Sequence, residues 1–406
     1  MLVCGILANL AALGVFKYLN FFLSNAAFLM GRSYDPIRLL LPLGISFFTF
    51  QQISYLVDAR RGDAPSYSLS EYALFASFFP YVTSGPIAFH SEILPQLRDE
   101  HKRKPSACNL SRGLTAFAFG LFKKVLVADT LGKAADWGWS NVAELNAPAA
   151  LVTILAYSLQ LYFDFAGYSD MASGVALCFN IELPMNFDSP YRARDIADFW
   201  KRWHITMTRF FTRYLYIPLG GSRRGLARTC LNTLLIFLVS GLWHGAAWTF
   251  ILWGALHGVA MVIARLIKAR TNRRLPLLPA WLLTFAFVNL CWVFFRAPTI
   301  AAGGQLLSRL ALGGWGALPE GLTGCFLTTE FSSLGQFIPL DSALFAAIVC
   351  VLFLLAALAG AVFPQNMQQR LLRFRPSVPL CLGSAALLFW SVLSLSGVST
   401  FLYFTF

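Results

Sequence analysis

Long blocks of hydrophobic positions dominate this chain, and polar positions fall in a few clusters between them. Apolar segments run at about 1–30, 39–57, 71–90, 112–130, 148–166, 167–183, 229–247, 248–266, 278–296, 342–363 and 379–396. Several approach or exceed the roughly 20 apolar residues that cross a bilayer. The pattern predicts an all-α polytopic integral membrane protein with about 10–11 transmembrane or re-entrant helices. No internal repeat and no low-complexity linker divides the chain, so residues 1–406 read as one domain.

Composition agrees. The 406 residues are 57% hydrophobic and 13% charged, with a mean hydropathy of +0.62, whereas a soluble globular protein carries about 25% charged residues. The net charge of +13 reads as basic loops held on the cytoplasmic side rather than as a nucleic-acid surface. The eight cysteines contain no CxxC pair and mostly sit inside apolar runs. They read as small core hydrophobes, with neither a disulfide framework nor a metal site. The N-terminal "MLVCGILANLAALGVFKYLNFF" lacks a basic start and a small-residue cleavage site, so it reads as a membrane helix, not a removed signal peptide.

Loop charges orient the segments. Residues 98–124 hold Arg98, Lys102, Arg103, Lys104, Arg112, Lys123 and Lys124, and 188–228 hold nine basic residues against Asp188, Asp195 and Asp198. Both ends, with the five basic residues of 265–274, are expected on the cytoplasmic side. The connection 297–341 holds Arg309 against Glu320, Glu330 and Asp341. It is expected to face outward as a long loop that docks an extracytoplasmic partner. Counting back from 98–124 puts Met1 outside with no earlier helix to carry it there. Either 71–90 dips in and returns, or a further hydrophobic segment precedes this stretch.

Two stretches carry chemistry. In "NFDSPYRARDIADFWKRWHITMTRFFTRYLYIPLGGS" (186–222) aromatic and basic residues interleave. One reading is an amphipathic helix lying in the membrane interface. The other is a basic vestibule in which Arg192, Arg194, Lys201 and Arg202 meet an anionic substrate. In "FLVSGLWHGAAWTFILWGALHG" (237–258) two histidines stand in apolar sequence. Ionisable groups there are rare and biased toward the bundle interior. His244 is flanked by Trp243 and Gly245, where small residues admit a backbone or a ligand. His257 is about 220° away around a continuous helix, and is expected to be structural. Asp164 and Asp170 bracket "DFAGYSD" at the junction of two apolar segments, which reads as a helix break with capped ends.

Taken together, these blocks resemble the bacterial membrane-bound O-acyltransferases, in their alginate O-acetylase-like branch. The matching stretches are "LGVFKYLNFF", "LPLGISFFTFQQISYLVDARRG" (41–62), "FFPYVTSGPIAFHSEILPQL" (78–97), 159–221, "LWHGAAWTFILWGALHG" (242–258) and the terminal "FLYFTF" (401–406). The resemblance implies a bundle around a central passage, with His244 as the essential histidine and His204 as the family's second one. It also implies transfer of an acetyl group from cytoplasmic acetyl-CoA for O-acetylation of an exported polysaccharide such as alginate or cellulose. No cofactor would be permanently bound. Expected partners are an extracytoplasmic acetyltransferase or esterase-like protein, polysaccharide synthase machinery and membrane lipids. The expected location is the bacterial inner membrane. D-alanyl transfer to a cell-envelope polymer and a non-catalytic transporter or scaffold are the alternatives. One departure stands out: after "SGPI" the family often has a basic residue within two positions, where this chain has Ala88 and Phe89, then His90.

The chemistry fits the residues independently. Acyl transfer from a thioester to a hydroxyl needs a proton acceptor, and histidine is the usual one. Whether His244 serves as base or as transient acyl carrier is open at this level.

Overall fold

The structure, a computed structural model, describes residues 2–271, 275–395 and Phe401–Leu402. Met1, the basic positions 273–274 and residues 403–406 of the terminal block lie outside the described residues. The described chain is all-helical, and six of its helices are long and apolar enough to cross a membrane.

The first is α1 (Leu2–Leu13) continuing through a π turn at Gly14–Tyr18 into α2 (Leu19–Leu29). It packs on α3 (Ile45–Arg61). The predicted segment 71–90 is not a span. It folds as short α4 (Leu69–Ser77), closed by a Ser68–Glu71 capping box, then an irregular stretch, then α5 (His90–Arg98).

A long rod follows: α6 (Ala107–Phe122), a π segment at Lys123–Ala128 and α7 (Asp129–Ser140). It lies against α8 (Ala147–Cys178), a 32-residue helix buried along most of its length. Where α6 and α8 cross, their backbones touch: a Cβ added to Gly120 would come within 2.7 Å of the Gly167 carbonyl oxygen.

This pairing overturns two expectations. The segments 148–166 and 167–183 merge into one helix, so "DFAGYSD" is not a break and its aspartates cap nothing. Instead Asp164 and Asp170 meet lysines. Lys124 Nζ lies 2.6 Å from Asp164 and 2.8 Å from Asp129, and Lys123 Nζ lies 2.5 Å from Asp170. Those lysines are therefore mid-rod residues, not loop charges. The cytoplasmic assignment of that end rests on Arg98, Lys102, Arg103, Lys104 and Arg112. Phe401 and Leu402 return to the same place: the Leu402 N–H donates to Asp164 Oδ2 at 3.0 Å, and Lys124 stands over the Phe401 ring.

Next come α9 (Ile196–Arg202) and α10 (Ile205–Phe211), the latter running into a third π segment at Thr212–Tyr216. The interface-anchor reading fails for these aromatics. Phe199, Trp200, Trp203, Phe210 and Phe211 are buried in the protein core, not laid among acyl chains. Their rings pack on one another and on Phe50, Trp253 and Trp292.

The antiparallel pair α11 (Gly225–His244) and α12 (Trp248–Arg270) leads to α13 (Leu277–Arg296), which packs on both α12 and α8. The connection 297–341 is not a loose loop. It contains α14 (Ile300–Leu312), α15 (Glu320–Gly324) and α16 (Thr329–Gly335). Leu306, Leu322 and Phe326 from it are fully buried, so the connection is part of the packed body. Last are α17 (Ser342–Val362), α18 (Met367–Leu372) and α19 (Val378–Leu393), with α19 against α6.

Candidate active site

His244 is the last residue of α11. The sequence here is rich in small residues because the two backbones of α11 and α12 must touch. A Cβ on Gly241 would lie 2.3 Å from the Phe250 carbonyl oxygen, and one on Gly254 would lie 2.3 Å from that of Phe237. This close crossing drives Trp253 of α12 against the His244 ring, centroid to centroid 5.2 Å. Phe295 of α13 packs on it at 5.2 Å and Trp243 at 4.9 Å. The imidazole is 3% exposed, yet it lines a cavity of about 90 Å³ with Lys17, Ser46, Phe47, Thr83 and Ser84.

His204 sits between α9 and α10 in the left-handed region, with φ 45° and ψ 55°. A side chain other than glycine in that region costs roughly 1–2 kcal/mol, and such residues cluster at functional sites. Asn186 supports it. Its carbonyl accepts the Ile205 N–H at 2.9 Å, and its Oδ1 accepts the Thr206 hydroxyl at 2.9 Å. The same Oδ1 stands 3.0 Å from His204 Nδ1. Asn186 Nδ2 in turn donates to Ser169 Oγ at 3.3 Å. His204 belongs to none of the six apolar helices, and burial pushes its pKa down to about 3, so its ring is neutral.

The structure brings the two predicted histidines together. Their ring centroids are 6.5 Å apart. A second cavity, of about 180 Å³, lies along α11. It runs past Thr233, Ile236 and Phe237 to Ser240, one turn before His244, with Tyr216 and Arg265 at its polar end. Arg265 Nη1 donates to Tyr216 Oη at 3.1 Å.

His257 behaves as expected of a packed residue. It is fully buried, and its Nδ1 accepts the Trp200 indole N–H at 3.2 Å. The basic quartet divides. Arg192, Arg194 and Lys201 are exposed. Arg202 is bound inward, at 3.0 Å from Asp188 and 2.8 Å from Asp198.

Sequence reasoning missed three groups. Asn186 gave no signal beyond a lone amide. Lys17 stood in plain view as a charge in an apolar run. His90, noted only as a departure, joins a buried cluster: Nε2 lies 3.2 Å from Asp58, which also takes the Tyr214 hydroxyl at 2.7 Å and Arg213 at 3.0 Å. Arg209 and Arg213 stack over Phe89, at the position where the resemblance leads one to expect a basic residue.

Comparison with known proteins identifies the family. The family model for MBOAT, the membrane-bound O-acyltransferase family, matches residues 6–301. A peptidoglycan O-acetyltransferase of Helicobacter pylori is 44% identical over 82% of this chain and 67% of its own length. A probable alginate O-acetylase of Pseudomonas aeruginosa is 36% identical over 83% and 67%. A teichoic acid D-alanyltransferase of Bacillus subtilis is 27% identical over 64% and 70%. The chain spans about two thirds of the length of these relatives. It is a multi-pass membrane protein, and it belongs to the membrane-bound O-acyltransferase family.

Proposed function

We propose that this O-acyltransferase moves an acetyl group from cytoplasmic acetyl-CoA across the bacterial inner membrane, for O-acetylation of an exported polysaccharide. The observation that carries this reading is the pair of buried histidines, 6.5 Å apart, with His244 lining a cavity. The second cavity is lined by Ser240 and by Arg265, the latter at the basic and hence cytoplasmic end of α12. It suits the pantetheine arm of the donor, with Arg192, Arg194 and Lys201 at the surface for its phosphates. The cavity that holds His244 suits the acceptor.

In the transfer, the acceptor hydroxyl oxygen attacks the thioester carbonyl carbon while its proton passes to an imidazole nitrogen of His244. The carbon–sulfur bond then breaks, and the imidazolium returns the proton to the departing thiolate. His204 orients the reacting groups. A well-placed base of this kind contributes about 10²–10⁴ in rate. An extracytoplasmic acetyltransferase or esterase-like partner then completes delivery to sugar, next to the synthase machinery. Greater similarity to relatives named for O-acetylation than to the one named for D-alanylation favours acetyl over D-alanyl.

Vesicles containing the purified protein, supplied outside with radiolabelled acetyl-CoA and inside with polysaccharide fragments and the partner, test the reading. Label should reach the enclosed polymer and vanish with His244→Ala. Equal labelling with His244→Ala would point to a transporter or scaffold, and transfer of D-alanine alone would replace acetyl with the runner-up.

A further inference from the structure

The end of α11 is tied down from outside the helix. An α-helix leaves its last four carbonyls without intrahelical partners; here these belong to Gly241, Leu242, Trp243 and His244. Gly245 N–H serves Gly241 at 3.3 Å. The other three are served by two adjacent side chains of the N-terminal helix. Tyr18 Oη donates to Leu242 O at 2.9 Å, while Lys17 Nζ donates to Trp243 O at 2.7 Å and His244 O at 3.1 Å. The third ammonium proton goes to Ser46 Oγ at 3.3 Å. Adjacent residues of an α-helix point well apart. Lys17 and Tyr18 converge because they lie in the π turn Gly14–Tyr18, whose wider turn re-aims its side chains.

We propose that Lys17 is a positioning residue for acyl transfer. It holds the final turn of α11 so that the His244 imidazole faces the cavity they both line, and Tyr18 is its neutral partner. The idea rests on the reading of His244 as the acting group. The ammonium also stands where the negative end of the α11 dipole is felt, so one group satisfies two carbonyls and offsets that partial charge. The bland alternative is that Lys17 merely fastens the N-terminal helix to the bundle.

Steady-state kinetics of the full chain in lipid nanodiscs separate the two. With Lys17→Met, kcat should fall by about 100-fold, the scale expected when a reacting group is misplaced by about 1 Å, while the KM for acetyl-CoA stays within about twofold. Tyr18→Phe should lose less, because it leaves Lys17 in place. Lys17→Cys treated with bromoethylamine regains an ammonium at the same reach and should recover kcat. The same variant treated with iodoacetamide should not, the parent protein serving as control for its own cysteines. A Lys17→Met protein with parental kcat overturns the proposal. So does an alkylated Lys17→Cys protein that regains its melting temperature but not its kcat, since that is the signature of fastening alone. Full activity in His244→Ala would instead sink the underlying reading of His244.

Discussion

Trp253 stands between two histidines, its ring 5.2 Å from His244 and 5.0 Å from His257. One tryptophan thus divides a cavity-facing imidazole from one locked to Trp200. His244→Ala should abolish polymer acetylation at near-normal membrane level, a loss of about 10²–10⁴ in rate. His257→Ala should keep measurable activity and instead lower the melting temperature, since it leaves the Trp200 indole N–H without its acceptor. Immunoblots and acetyl assays on the two variants check this. A more damaging His257→Ala would reverse the roles.

His204 combines a reactive ring with a left-handed backbone, and substitutions can separate the two. His204→Gly should be folded and nearly inactive. His204→Ala should be equally inactive but less stable than the glycine variant by about 1–2 kcal/mol, measured by thermal unfolding in detergent. The ring also titrates differently in the two states, near 6.5 when unfolded and about 3 when folded. The unfolded chain binds the proton first. The ring's contribution is therefore present above about pH 6.5 and lost as pH falls toward 3, so His204→Gly should show a shallower acid decline.

Lys124 and Asp164 are 7% and 2% exposed at their side chains. Removing one partner strands a buried charge, which costs about 3–5 kcal/mol. Lys124→Met should destabilise strongly, and the double variant Lys124→Met with Asp164→Leu should regain much of the loss. A double-mutant cycle on melting in detergent checks the coupling.

The basic quartet should split as its contacts do. Neutralising Arg192 and Lys201 should raise the acetyl-CoA concentration needed for half-maximal rate more than it lowers the maximum. Arg202→Ala should act through stability, because it removes the ion pairs to Asp188 and Asp198. Unchanged donor dependence in the Arg192/Lys201 variant would remove these residues from the donor's path.

Much was legible in advance. The apolar blocks located the long helices, and ionisable residues in apolar sequence marked His244 because their burial there is costly. What escaped were matters of pairing. Residues 148–178 read as two segments because Asp164 and Asp170 look like punctuation until Lys123 and Lys124 are set opposite them. Interleaved aromatics and cations at 196–216 look alike whether the rings enter lipid or protein; only the neighbours Phe50, Trp253 and Trp292 decide. The three π segments among the described residues bring Lys17, Lys124, and Arg213 with Tyr214 to polar partners set off the ordinary helical register, Asp164 and Asp58 among them. No periodicity argument built on 3.6 residues per turn foresees where such groups point.

The lysine–aspartate pairs between the α6 rod and α8 also constrain how the chain is made. Each lysine near the middle of a lone helix raises its cost of entering lipid by about 2.5–3.5 kcal/mol on translocon scales. Asp129 of the same rod pairs with Lys124, but Asp164 and Asp170 of α8 emerge from the ribosome only about 40 residues after the lysines. The rod is therefore a poor candidate for release into the bilayer alone. The pairing predicts that the two helices enter the membrane together, the first held back until the second arrives. Biogenesis, as much as the finished fold, is then written into which helix carries which sign of charge.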